Sequence, residues 1–129
     1  MMPRLLRRGR GAPAAEPEAA QVLAQADEEA RQIVERALPY TMTGAARVLA
    51  LVDATRYCTA RDIPGAFVEC GVWRGGSVLA MILTLQQLGQ DGRDLYLYDT
   101  FEGMTAPTEH DVSELDPPAL QTWAEAQRE

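Results

Sequence analysis

At 129 residues, with 47% hydrophobic and 24% charged side chains, the chain has the length and composition of one globular domain, and no run of residues nears the roughly twenty apolar positions of a membrane helix. Nineteen acidic side chains against 12 basic give a net charge of −7. Arg4, Arg7, Arg8 and Arg10 all precede the first acid, Glu16; the remainder holds eight basic against 19 acidic groups, a net −11 that repels phosphate backbones and argues against a nucleic-acid partner, while the lack of a long apolar run argues against a membrane one.

Residues 1–17 combine arginine, alanine, glycine and proline without apolar periodicity, the composition of a disordered basic leader. Arg7-Arg8 is not followed by the apolar core of an export signal, so a cytoplasmic protein is the default expectation. Residues 18–63 read as a helical segment. One helix is expected from Glu18 to Leu38, with Leu23, Ala26, Ala30, Ile33, Val34 and Ala37 on one face and Asp27 four residues before Arg31. Pro39 interrupts it. Thr41 or Thr43 is the expected cap of a second helix from Gly44 to about Arg61, lined by Val48, Leu51, Val52 and Thr55. Cys58 and Cys70 lack any Cys-x-x-Cys or His partner and read as buried small hydrophobes.

Ile63-Pro64-Gly65 punctuates the chain, and the most informative stretch follows. Ala66-Phe67-Val68 is a short apolar run, Glu69-Cys70-Gly71-Val72-Trp73-Arg74-Gly75-Gly76-Ser77 a glycine turn, and Val78 to Leu88 an apolar helix. Asp94 to Tyr98 reads as a second buried strand and ends on Asp99. A turn at one strand tip and a carboxylate at the next share the crevice where open α/β sheets bind nucleotide-like ligands. The middle glycine of a dinucleotide fingerprint is here Trp73, and the chain contains no lysine for a P-loop. Glu-x-Gly-x-x-x-Gly with an acid after the next strand suits instead an adenosine ligand with an amino-acid tail, whose ribose hydroxyls Asp99 can accept.

Within the turn, Gly71 permits close approach of a ligand or of helix backbone, and Gly75 and Gly76 start a helix whose N-terminal amides can hold a carboxylate. Ser77 either reinforces that contact or caps the helix. Glu69 is placed to receive a ligand ammonium or to orient the turn, and Trp73 either packs on the ligand edge or plugs the base of the domain. Phe101 is a candidate wall of an adenine slot, or plain core. His110, the sole histidine, is of a residue type that serves as a catalytic base, but a solvated loop position is the preferred reading. Glu109, Asp111, Glu114 and Asp116 lack calcium-loop spacing and read as an acidic loop. Pro117 to Glu129 reads as a last helix with Leu120, Trp123 and Ala124 on one face.

The stretches PGAFVECGVWRGGSVLAMILTL (64–85) and RDLYLYDTFEGMTAPTEHD (93–111) resemble the macrocin O-methyltransferase type, the sugar O-methyltransferases of macrolide and aminocoumarin biosynthesis. That resemblance implies an α/β, Rossmann-like class I methyltransferase fold with N-terminal helices, S-adenosylmethionine as cofactor, and a hydroxylated small-molecule acceptor. It implies cofactor contacts from Glu69, Gly71, Trp73, Gly75, Gly76, Ser77, Asp99, Phe101 and Thr41, and a lid-like, substrate-facing role for Tyr40 and Met42. The family also uses Mg2+, but its metal ligands and catalytic base match no residue here. Residues 64–129 are thus expected to be the first part of the cofactor domain, truncated after the second parallel strand, with weak or no turnover alone and a homo-oligomer or complementing chain as possible partner. Two alternatives stand beside this: a non-enzymatic remnant or interaction module, and an NAD- or FAD-binding oxidoreductase half-domain, which Trp73 disfavours.

Overall fold

The structure, a computed structural model, describes residues 15–90, 92–112 and 118–126. The expected leader, apart from residues 15–17, lies outside them, as do Glu114 and Asp116 of the acidic loop. Two compact units divide the chain, the first ending at Asp99 and the second beginning at Thr100.

The first unit opens with two helices where the apolar pattern predicts one, α1 (Ala15–Gln25) and α2 (Glu28–Ala37). Asp27 makes the break. Its backbone is extended and its carboxylate accepts the Ala30 amide at 2.8 Å, an N-cap reinforced by Glu28 and Glu29 in the first turn of α2. The predicted Asp27–Arg31 pair therefore does not form; Arg31 pairs with Glu28 at 3.0 Å and donates to the Leu23 and Ala26 carbonyls at the end of α1. Asp27 instead reaches Arg56 on α3 (Ala45–Ala60) at 2.6 Å. Arg56 also donates to Gln87, the last residue of α4 (Gly76–Gln87), at 3.3 Å, so one guanidinium ties three helices.

These helices supply most of the core. Ala30, Ile33, Val34 and Ala37 of α2 pack with Ala45, Val48 and Val52 of α3 and Ala80 of α4, each within 6% of full burial. Burying each of the valines and the isoleucine among them contributes about 1.5–3 kcal/mol, and each alanine methyl less. Two buried hydroxyls interrupt the apolar surface harmlessly, because Thr55 donates to the Leu51 carbonyl and Thr84 to the Ala80 carbonyl, each one turn back. A second strip of α4, Val78, Met81 and Leu85, is buried outside that cluster.

Strands β1 (Phe67–Cys70) and β2 (Leu95–Tyr98) pair in parallel, Phe67 against Leu95 through Cys70 against Tyr98, with α4 as the crossover. Arg93 fastens the entry to both strands, donating to the Ile63 and Gly65 carbonyls at 2.9 and 2.7 Å and lying 4.9 Å over the Phe67 ring. The architecture is mixed helix and parallel sheet, as an α/β fold requires. The second strand is not buried as predicted: Tyr96, Leu97 and Tyr98 are exposed, as is Cys70, because the two-stranded sheet has no further strand among the described residues. Cys58 is half-buried, and both cysteines are free.

The second unit carries α5 (Ala119–Ala126) and a loop in which Asp111 accepts both the amide and the hydroxyl of Thr108, at 2.6 and 3.0 Å. These bonds hold the Asp111 carboxyl below its usual range. Trp123 donates to the Met104 carbonyl at 3.2 Å, while Leu120 is exposed. No helix among the described residues is long and apolar enough to cross a membrane.

Candidate functional site

The turn that follows β1 is built on left-handed backbone. Gly71 and Gly75 have φ of 85° and 81°, a conformation glycine adopts freely, and Trp73 between them has φ 49°. For a residue with a Cβ this costs roughly 1–2 kcal/mol, so surrounding bonds must hold it. Asp99, immediately after β2, provides them: its Oδ2 accepts the Val72 amide at 2.6 Å and the Trp73 amide at 3.2 Å. The Gly71 amide extends the strand ladder to the Tyr98 carbonyl at 2.8 Å, and the Gly75 amide closes the turn on the Val72 carbonyl at 2.8 Å. Two strand tips 27 residues apart are thereby locked into one structure.

Facing this turn is the segment between α2 and α3. Leu38–Tyr40 forms one 3-10 turn, after which the Thr41 hydroxyl accepts the Thr43 amide at 3.1 Å and pairs with the Thr43 hydroxyl at 3.0 Å. The sequence expectation that Thr41 or Thr43 caps α3 is not met: the cap is Gly44, without a side-chain bond, and the two threonine hydroxyls are paired with one another. The segment lies hard against the start of α4. A Cβ on Gly76 would fall 2.5 Å from the Tyr40 carbonyl oxygen and 2.7 Å from the Thr41 Cβ, so only glycine fits.

Between the two walls lies a cleft of about 140 Å³. Tyr40, Thr41, Met42 and Thr43 line one side; Glu69, Gly71, Val72, Trp73, Gly76 and Ser77 line the other. Six of the nine residues singled out from sequence for cofactor contact, Thr41, Glu69, Gly71, Trp73, Gly76 and Ser77, line it together with the expected substrate-facing pair, Tyr40 and Met42, whereas Gly75, Asp99 and Phe101 are not in its lining. A Cβ on Gly71 would meet no protein atom within 4 Å, so helix backbone does not come close there, and the φ of 85° favours glycine. Gly75 is the cap of α4 and Ser77 its second residue, so Ser77 does not cap the helix. The Trp73 indole is 45% exposed and stacks with the Arg74 guanidinium 5.0 Å from its ring centre; it does not plug a core.

Phe101 and His110 belong to the second unit. Phe101 is exposed with φ 54°, and so is not core. His110 is exposed on the loop, with Glu109 at 3.9 Å. Among the described residues no three His, Cys, Asp or Glu side chains gather where they would hold a metal ion. Sequence reasoning missed the Asp99 bonds to the turn and the role of Gly76 against Tyr40; a glycine pair opening a helix was the available signal for the second, while the first depends on the strand register.

Comparison with known proteins adds three findings. The family model described as macrocin-O-methyltransferase (TylF) matches residues 10–126. A relative from Streptomyces olivaceus, an 8-demethyl-8-(2,3-dimethoxy-alpha-L-rhamnosyl)-tetracenomycin-C 4'-O-methyltransferase, is 41% identical over 69 residues, which cover 50% of this chain and 25% of the relative's length. No solved structure matches.

Proposed function

Because the chain belongs to the macrocin-O-methyltransferase (TylF) family, we propose that it serves the transfer of a methyl group from S-adenosylmethionine to a hydroxyl on the sugar of a small-molecule natural product. The β1–α4–β2 unit is then the cofactor-binding element of a Rossmann-like class I fold. One observation carries this reading: a strand-end carboxylate, Asp99, joins a glycine turn at the edge of a cleft that Tyr40–Thr43 closes from the other side. The relative's name, which specifies O-methylation of a rhamnosyl group, supports the sugar as acceptor.

The donor set fits the ligand. Glu69 in the cleft can receive the ammonium of the amino-acid tail, and the first amides of α4, around Gly76 and Ser77, can hold its carboxylate. A carboxylate has about four acceptor positions, so Asp99 can hold the turn and also take ribose hydroxyls. Small-molecule sites run to about 300–1,000 Å³. At about 140 Å³ the cleft accounts for one end of such a ligand, the amino-acid end.

When bound, the cofactor supplies an electrophilic methyl group. The chain's own contribution is to hold it: the paired Thr41 and Thr43 hydroxyls stiffen the wall opposite Trp73, and the exposed Tyr40 and Met42 offer apolar surface to an acceptor. The described residues form no magnesium site, and no step is assigned to a metal. Ultraviolet cross-linking of isotopically labelled S-adenosylmethionine tests the assignment. Label is expected in peptides containing Tyr40–Thr43 or Glu69–Ser77, displaced by S-adenosylhomocysteine and not by NAD; label confined to other peptides, or displaced by NAD, would sink it.

A further inference from the structure

Left-handed residues alternating with ordinary ones turn successive N–H groups toward one point and make a concavity that attracts anions. The turn after β1 has that backbone at Gly71, Trp73 and Gly75. In a phosphate-binding turn such amides meet the ligand. Here the Val72 and Trp73 amides converge on Oδ2 of Asp99, an oxygen of the chain itself. Two further amides of the turn are bonded to backbone, Gly71 to the Tyr98 carbonyl and Gly75 to the Val72 carbonyl.

We propose that Asp99 is a positioning and specificity-determining residue whose carboxylate fills the amide concavity of the turn, holds Trp73 in its left-handed conformation, and bars a ligand phosphate from those amides. A phosphate approaching Val72 and Trp73 must displace a charge-assisted bond of 2.6 Å and sit beside a like charge. A ligand without phosphate, presenting hydroxyls, is compatible with the filled concavity. The brace thus accounts for the choice of an adenosine ligand with an amino-acid tail over a dinucleotide. The proposal rests on the cofactor reading for its ligand, and on the chain alone for the brace.

Amide hydrogen exchange by NMR on the 129-residue chain, with Asp99→Ala and Asp99→Asn beside wild type, tests it. In Asp99→Ala the Val72 and Trp73 amides are expected to exchange about tenfold faster, since losing a charge-assisted hydrogen bond is worth about one order of magnitude. The Gly71 amide, bonded to the Tyr98 carbonyl, should keep its rate. Asp99→Asn retains an acceptor oxygen without the charge and should fall between; it carries the test if Asp99→Ala loses the core signals of Val48 and Val52. Inorganic pyrophosphate should shift the Val72 and Trp73 signals saturably in Asp99→Ala and leave wild type unmoved, a response that a purely structural Asp99 would not produce. Equal exchange in all three proteins, or equal pyrophosphate shifts, would overturn the proposal. S-adenosylhomocysteine added to wild type separates the two readings. If it does not bind while the exchange pattern holds, the cofactor assignment fails and the brace stands; if it binds while the amides ignore Asp99, the reverse is true.

Discussion

Gly76 shows how much of the site depends on one missing side chain. In most helices glycine costs 0.5–1 kcal/mol relative to alanine, so Gly→Ala ordinarily stabilises. At Gly76 the Tyr40 carbonyl oxygen would stand 2.5 Å from the new carbon, and that oxygen is backbone with little room to yield. Gly76→Ala is therefore expected to destabilise the chain by about 1–3 kcal/mol, the usual range for overpacking, and to open the cleft by displacing the Tyr40–Thr43 wall. Urea unfolding measures the sign. A stabilised Gly76→Ala would mean that the wall does not sit against α4. Trp73 is the complementary case, a large side chain kept in glycine-like backbone by two bonds to Asp99.

Among the elements, the α1–α2 junction carries the clearest electrostatic signature. The Arg56 side-chain bond, aided by the Ala30 amide, lowers the Asp27 carboxyl to about 2. A depressed folded-state pKa stabilises above the unfolded value, near 3.9, and the stabilisation is lost as pH falls toward about 2. With 57% of the Asp27 side chain exposed, screening limits the contribution to about 1 kcal/mol. Asp27→Asn, which keeps a capping oxygen, should lose about that amount at pH 7 and flatten the dependence of stability on pH between 2 and 4. Asp27→Ala should lose about 1 kcal/mol more with the cap. Denaturant midpoints at pH 2.5, 4 and 7 decide it; an unchanged slope in Asp27→Asn would contradict the assignment. The same junction marks where reading the sequence stopped short. Ala26 fits the apolar stripe and Asp27 stands at the right spacing for Arg31, so local pattern favours one continuous helix. Asp27 ends it by capping α2 through the Ala30 amide, and its carboxylate also takes a bond from Arg56, 29 residues away, which no local pattern shows. The β1–α4–β2 order was legible, because two short apolar runs, a glycine turn and a long apolar helix are local signals. The exposure of β2 was not, because burial depends on what covers the strand.

At the scale of the whole molecule, the N-terminal helices and the parallel strand pair form one unit whose cleft joins residues from Tyr40 to Ser77. Clustering of those positions follows from the fold, which brings the turn after β1 against the segment between α2 and α3; neither the cleft's volume nor the bond from Asp99 to the turn was accessible without register. The matched 69 residues amount to 25% of the Streptomyces olivaceus relative, so the decisive question is whether this chain itself holds the cofactor. Calorimetric titration of the purified chain with S-adenosylhomocysteine, with NAD as control and circular dichroism to establish folding, answers it most directly. Saturable binding of S-adenosylhomocysteine, absent for NAD and lost in Asp99→Ala, is the expected result. A folded chain that binds neither ligand, or binds NAD in preference, would contradict the assignment of the cleft as the methyl donor's seat.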